Sequence, residues 1–321
     1  MYPLRCAIIG AAALMIPGVI SAPPTLGPYN TTYARYTHSV FDSSDPAVWV
    51  WWPTNGTAGE KFPLIPYLHG VLGGDLDLLG YTALFGQMAS YGFVVVGTFA
   101  CNTGCHDAAN SSRWTNCGGL LPLSPQGEGW DSYYGEANKI IDWARNMSAG
   151  GSGDAVFQLI DHDAGYGVVG HSMGGQGAAM AATNGCPAQW NIKTTVLHHP
   201  ASGDVPAGNI GINMTVPVAG FATSGDAIWP ETEAIMAAYA KRTDAPPLAT
   251  MYRNEDGWSH LEPVLWPPIE NPLLATYTAA WLKIFLNNDR GDFYDLIYGT
   301  GPDGVCQHAA MKTCTTRAPP S

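Results

Sequence analysis

Positive charge is what this sequence has least of: 14 Lys and Arg stand against 26 Asp and Glu, a formal net charge of −12. The few cations are scattered along the chain. Binding a phosphate backbone needs a basic face, so nucleic acid is excluded as a partner. Charged residues of either sign make up only 12% of the chain, while Gly (38) and Pro (25) are plentiful. That is the composition of a compact, loop-rich protein rather than a disordered one. Long apolar runs are also missing. Beyond the N-terminus no segment approaches the roughly twenty apolar residues of a membrane helix, so no integral span is expected once a leader is removed. Paired Cys-x-x-Cys units are absent, which argues against a zinc site. No Gly-Lys-Ser/Thr follows the glycines of Gly70-Val71-Leu72-Gly73-Gly74, so no nucleotide is implied. His198-His199-Pro200 has the look of a metal pair, but neighbours on a strand face opposite ways, and a structural role is expected. Neither a metal nor an organic cofactor is called for.

What is present begins with MYPLRCAIIGAAALMIPGVISAPP: one Arg, an apolar run of about fifteen residues, then small residues. This is the layout of a secretory signal peptide, residues 1–21, with cleavage expected near Ser21 or Ala22. Its removal leaves Cys101, Cys105, Cys117, Cys186, Cys306 and Cys314, an even set that suits disulfides in an exported protein. Cys306 and Cys314 are close in sequence and far from the rest, so they are the first expected bridge. Cys101, Cys105 and Cys117 share one loop-like segment and are expected to supply a second. Sequons at Asn30, Asn55, Asn110, Asn146 and Asn213 point to a glycosylated, extracellular product.

Past its leader, the 321-residue chain reads as one α/β domain over 22–321, a monomer, with no repeat and no linker long enough to divide it. Strands are expected at Tyr36–Val40, Ala47–Trp52, Phe62–Leu68, Gly92–Gly97, Tyr166–Val169, Lys193–Leu197, Val216–Ala222 and, last, Leu248–Tyr252. Helical patterns lie between or after them, over Tyr81–Tyr91, Ser132–Met147, Gln176–Thr183, Glu231–Lys241 and Pro272–Asn287. Such alternation predicts a mainly parallel sheet covered by helices on both faces. A cysteine-bearing loop over 101–130 interrupts it.

The chemistry is announced by Gly170-His171-Ser172-Met173-Gly174, a Gly-x-Ser-x-Gly pentapeptide between a short apolar strand and an Ala-rich helix. A serine at such a turn is held in a strained backbone that raises its hydroxyl above the sheet. A serine hydroxyl is a weak nucleophile and needs a base, which in turn needs an orienting acid. In α/β-hydrolases the chain order is serine, acid, histidine. Asp226, at the carboxyl end of the run Val216–Ala222, takes the acid position, with Asp204 the runner-up. His260, after the strand Leu248–Tyr252, takes the base position. His198 and His199 precede the acid, and His308 lies in the cysteine tail. Backbone amides of Met173 and of Val71, which follows His69-Gly70, are expected to form the oxyanion hole. Trp229 and Trp258, each near a catalytic residue, are candidate walls of the substrate cleft, as is Gly70.

With these residues in place, the chain resembles the bacterial cutinase and polyester (PET) hydrolase family. The resemblance rests on GHSMGGQG, VPVAGFATSGDAIWP, the Gly-x-Ser-His ending at His260, AAWLKIFLNNDRGDFYDLIYG and the Cys306/Cys314 tail. It implies a single-domain α/β-hydrolase that cleaves carboxylic esters with a Ser172, Asp226, His260 triad. Two family features are missing. Val71 stands where the polyester hydrolases carry an aromatic residue, and Ala201 where they carry a Trp, so a clamp for an aromatic polymer is not implied. The layout is also similar to chlorophyllases, though their elbow resembles GHSRGG, and to phospholipid acetyl-hydrolases. The reading from another class is a non-catalytic α/β-hydrolase that only binds; such proteins usually lose a triad member, and all three are present here.

Overall fold

The computed structural model describes residues 27–37, 47–70, 74–98, 135–151, 154–183, 186–202, 205–242, 246–253, 259–264 and 272–319. The expected loop over 101–130, the signal segment, Val71, Asp204 and Trp258 lie outside these residues.

One sheet of nine strands organises the described chain: β1 Thr31–Thr37, β2 Ala47–Pro53, β3 Leu64–Leu68, β4 Val94–Thr98, β5 Tyr166–His171, β6 Ile192–His198, β7 Val218–Thr223, β8 Leu248–Arg253 and β9 Met311–Arg317. Their order across the sheet is β1-β2-β4-β3-β5-β6-β7-β8-β9. The six central strands, β4 to β8 in that order, run parallel, and β1, β2 and β9 close the two edges antiparallel. Apart from the exposed Lys193 of β6, the central strands are buried along their whole length. A parallel sheet covered on both faces calls for such near-continuous apolar runs.

Among the described residues, helices of seven or more residues are α1 Gly74–Ser90, α2 Glu136–Asn146, α3 Met173–Ala181, α4 Ala207–Asn213, α5 Trp229–Ala240, α6 Pro272–Leu286 and α7 Asp292–Tyr298. They divide between two cores because successive strand residues point to opposite faces. Leu64, Val94, Val96, Val168 and Leu197 pack with Ile140 and Ile141 of α2, Ala178 of α3 and Ile235 of α5. Ile65, Val95, Val169, Val196 and Phe221 pack on the other face with Tyr81 and Phe85 of α1 and Trp281 of α6.

Two expectations are corrected. The first strand begins earlier than Tyr36, at Thr31, because its register is set by pairing with β2 (Thr31 opposite Pro53, Thr37 opposite Ala47) rather than by its own apolar residues. The strand Leu248–Arg253 is not the last. Met311–Arg317 adds to its free edge, with Met251 opposite Cys314, and the Cys306–Cys314 disulfide ties that edge strand to the turn before it. Both mismatches are edge strands, and edge strands draw their conformation from a distant partner rather than from a local apolar run.

Candidate active site

Parallel strands bring their carboxyl ends to one rim, and there a site can be assembled from residues far apart in sequence. Register fixes the assembly here: His171 of β5 lies opposite His198 of β6, His198 opposite Phe221 of β7, and Thr223 of β7 opposite Arg253 of β8.

Ser172 follows β5 directly and precedes α3, with φ +55° and ψ −119°. Its amide donates to the His198 carbonyl at 3.0 Å, which pins the turn to the neighbouring strand. The flanking glycines are required by close approach rather than by conformation. A Cβ at Gly170 would sit 2.0 Å from the Gly174 carbonyl oxygen, and one at Gly174 would sit 2.1 Å from the Leu68 carbonyl oxygen. Any side chain there would force β3, β5 and α3 apart. The strand, turn and helix expected around Gly-x-Ser-x-Gly are all present.

Asp226 and His260 come to the same point. The His260 Nε2 lies 3.0 Å from Ser172 Oγ, and its Nδ1 lies 3.0 Å from Asp226 Oδ2. Ser172 and Asp226 are buried, whereas the His260 side chain keeps 31% of its surface exposed. Asp226 Oδ1 also accepts from the Ile228 amide at 2.9 Å, so this carboxylate caps its own turn as well. Burial disfavours its charge, but hydrogen bonds from His199 and His260 outweigh that and hold its carboxyl well below the usual range.

Beneath the serine lies a buried relay. The His171 Nε2–H donates to the His260 carbonyl at 2.7 Å, and its Nδ1 accepts from the Tyr81 hydroxyl at 2.6 Å. That hydroxyl in turn accepts from the Gly70 amide at 3.1 Å. The roles are assigned from the network, and only a neutral His171 satisfies all of them. Burial first, then the neighbouring His260 and His199, push its proton affinity well down. Gly70, a predicted site residue, does sit at the serine: a Cβ on it would lie 3.4 Å from the Ser172 Cβ. The histidine inside the pentapeptide therefore ties the loop after β3 to the backbone of His260.

Met173 opens α3, where first-turn amides have no partner within the helix. Trp229 opens α5 and is half-buried, with its ring 4.6 Å from that of Tyr252 and the Lys312 ammonium over it.

Two residues that sequence reasoning passed over complete the cluster. His199 is fully buried, with Nδ1 2.7 Å from Asp226 Oδ2 and Nε2 3.0 Å from Glu262 Oε2. Glu262 pairs on its other oxygen with Arg253. His198 and His199 do diverge as expected. His198 turns back into the core to Tyr67 and Thr278, with burial holding it neutral. β6 ends at His198, so His199 lies past the strand and turns to the rim instead of continuing the alternation. A usable signal was the position of His199 just past the strand beside β5, with an acid two residues after His260. The ligand atoms of His199, Asp226 and His260 lie within 4.8 Å of one another. Each histidine nitrogen among them already faces a carboxylate or hydroxyl partner, so the group reads as a hydrogen-bonded cluster rather than a metal cage.

A family model described as PETase, PET hydrolase-like, matches residues 131–315. The chain belongs to the PET hydrolase-like family. The matched segment contains Ser172, His199, Asp226, His260 and Glu262, strands β5 through β8 and most of β9. Its α/β-hydrolase fold is the one expected from the sequence. No curated protein matches the chain. Among the described residues of this PET hydrolase-like chain, no helix is long and apolar enough to cross a membrane.

Proposed function

We propose that the protein is a secreted serine carboxylester hydrolase acting through Ser172, His260 and Asp226. The observation that carries the reading is the position of His260, within hydrogen-bond reach of a serine hydroxyl on one nitrogen and of a buried carboxylate on the other. Membership of an ester-hydrolysing family supports it.

In the reaction, Ser172 Oγ attacks the ester carbonyl and passes its proton to His260 Nε2. Asp226 accepts from Nδ1–H, which fixes the tautomer and balances the imidazolium as it forms. The carbonyl oxygen, now negative, is received by the Met173 amide together with a donor from the loop after Gly70, where Val71 is the candidate. Collapse of the tetrahedral intermediate returns the proton to the leaving alcohol and leaves an acyl-serine. Water, activated by His260, then releases the acid. No step calls for a cofactor. Ala201 and Val71 supply no aromatic clamp, so esters smaller or more flexible than an aromatic polymer are the favoured substrates.

Secretion belongs to the same reading. It is supported by the leader over 1–21, by the Cys306–Cys314 bridge, and by Cys186, which is also disulfide-bonded. Of the sequon asparagines, Asn30, Asn55 and Asn146 are exposed, as glycosylation requires.

The test is hydrolysis of p-nitrophenyl esters from acetate to palmitate by wild type and Ser172→Ala. Activity that falls by about 10⁴-fold or more in the variant is expected. An inactive wild type would favour a binding module instead, and an equally active variant would mean that Ser172 is not the nucleophile.

A further inference from the structure

We propose that His199 is a positioning residue for the triad: a second, protonated histidine on Asp226 that aims the carboxylate at His260 and sets a buried positive charge behind it. The inference rests on the ester-hydrolase reading above.

Geometry assigns the charge. Both nitrogens of His199 face carboxylate oxygens, at 2.7 Å (Asp226) and 3.0 Å (Glu262), and the ring is fully buried. A neutral imidazole has one N–H, so its other nitrogen would aim a lone pair at a carboxylate with no water to intervene. Only the imidazolium donates on both sides. The electrostatics agree: burial opposes the charge, but the hydrogen bonds to Asp226 and Glu262 prevail and raise its proton affinity.

The backbone gives an independent sign that this ring is held in place. His199 has φ +47°, an uncommon conformation for any residue but glycine. Its amide is fixed to the Phe221 carbonyl at 2.9 Å. Such strain persists only where surrounding contacts over-determine it, and it gathers at functional sites.

The groups around His199 come from every element at the rim. Asp226 comes from the turn after β7 and Glu262 from beside the turn Ser259–Leu261, with Arg253 of β8 behind it. His171 of β5 and His260 place their rings 6.2 and 5.9 Å away, and His198 precedes it in the chain. His171 and His198 are neutral, as argued above. The line Arg253⁺, Glu262⁻, His199⁺, Asp226⁻ therefore alternates in sign and ends at His260. Asp226 gives His260 a well-aimed acceptor. The imidazolium behind it sets a positive charge close to the triad, in a site without water to screen it.

The test is the pH–rate profile of ester hydrolysis for wild type, His199→Gln and His199→Gln/Glu262→Gln, with Ser172→Ala alongside. Removing the cation should move the acidic limb of the profile upward by about one pH unit. The double variant removes one negative charge with the positive one, so the limb should return toward wild type. That return separates an electrostatic role from a merely structural one. Nitrogen NMR of histidine-labelled wild type is the second measurement. One ring should remain doubly protonated at pH 8, and its signal should vanish in His199→Gln.

An unshifted limb in His199→Gln would overturn the inference, as would a wild type with no imidazolium at pH 8. Should His199→Gln fail to fold, the wild-type NMR result alone decides. If Ser172→Ala retains activity, it is the ester-hydrolase reading that fails.

Discussion

Two histidines share one oxygen of Asp226, and their surroundings differ on every other count. His260 sits on the open side of the carboxylate, about a third exposed, with a serine hydroxyl on its second nitrogen. His199 sits on the closed side, fully buried, with a carboxylate on its second nitrogen. The open side has a partner that can give up a proton and room for a substrate to arrive. The closed side has a carboxylate on each nitrogen and no exposed surface, so no substrate can reach it. One carboxylate thus serves a partly exposed histidine and a buried one, and what distinguishes them is the group on the far nitrogen.

Three experiments press on that contrast. The largest effect is expected from Asp226→Asn, which acts on both sides at once. The amide can donate as well as accept, so His260 loses its tautomer control and activity should fall by about 10⁴-fold on a p-nitrophenyl ester. A variant within tenfold of wild type would mean that Asp226 does not orient the base.

The second experiment compares the two histidines directly by chemical denaturation. His199→Ala leaves Asp226 and Glu262 facing each other across a buried gap, and breaking a buried ion pair costs about 3 kcal/mol or more. His260→Ala removes a partly exposed side chain and should cost no more than about 1 kcal/mol, while abolishing activity. Equal losses of stability would erase the distinction between a structural and a catalytic side.

The smallest effect is in the pH dependence of stability. His199 has its proton affinity raised from the ordinary 6.5, so its contribution is complete below about pH 6.5 and is lost as pH rises through the higher native value. Asp226 is lowered from 3.8, so its contribution is complete above about pH 4 and is lost as pH falls through the native value. Thermal melts of wild type should therefore be most stable between these limits. His199→Gln should lose the alkaline decline and keep the acidic one; an unchanged alkaline slope would mean that His199 carries no extra proton.

Much of the site was legible. Gly170, Ser172 and Gly174 could be read because close approach of backbone to backbone admits only glycine, a constraint written at fixed spacing within a few residues. Asp226 and His260 could be placed because each follows an apolar run that had to be a strand, and strand ends in a parallel sheet share a rim. His199 was not legible: an alternation rule applied to His198-His199 assumes the strand continues, and whether it continues past His198 is settled by the backbone turn at His199. Glu262 offered only its closeness to His260. Strand β9 was hidden for another reason, since MKTCTTR has little apolar patterning and takes its form from the free edge of β8.

The sequence by itself determined the alternation of strands and helices, the sharp turn at Ser172 and the chain order of Ser172, Asp226 and His260. Those depend on periodicity, glycine spacing and chain order, which are local or nearly so. Only the tertiary structure decided that a second histidine reaches the acid, that Glu262 and Arg253 stand behind it, and that the tail closes the sheet. Those depend on which distant groups meet in a space without water, where a charge must find its partner across the fold or not be charged at all.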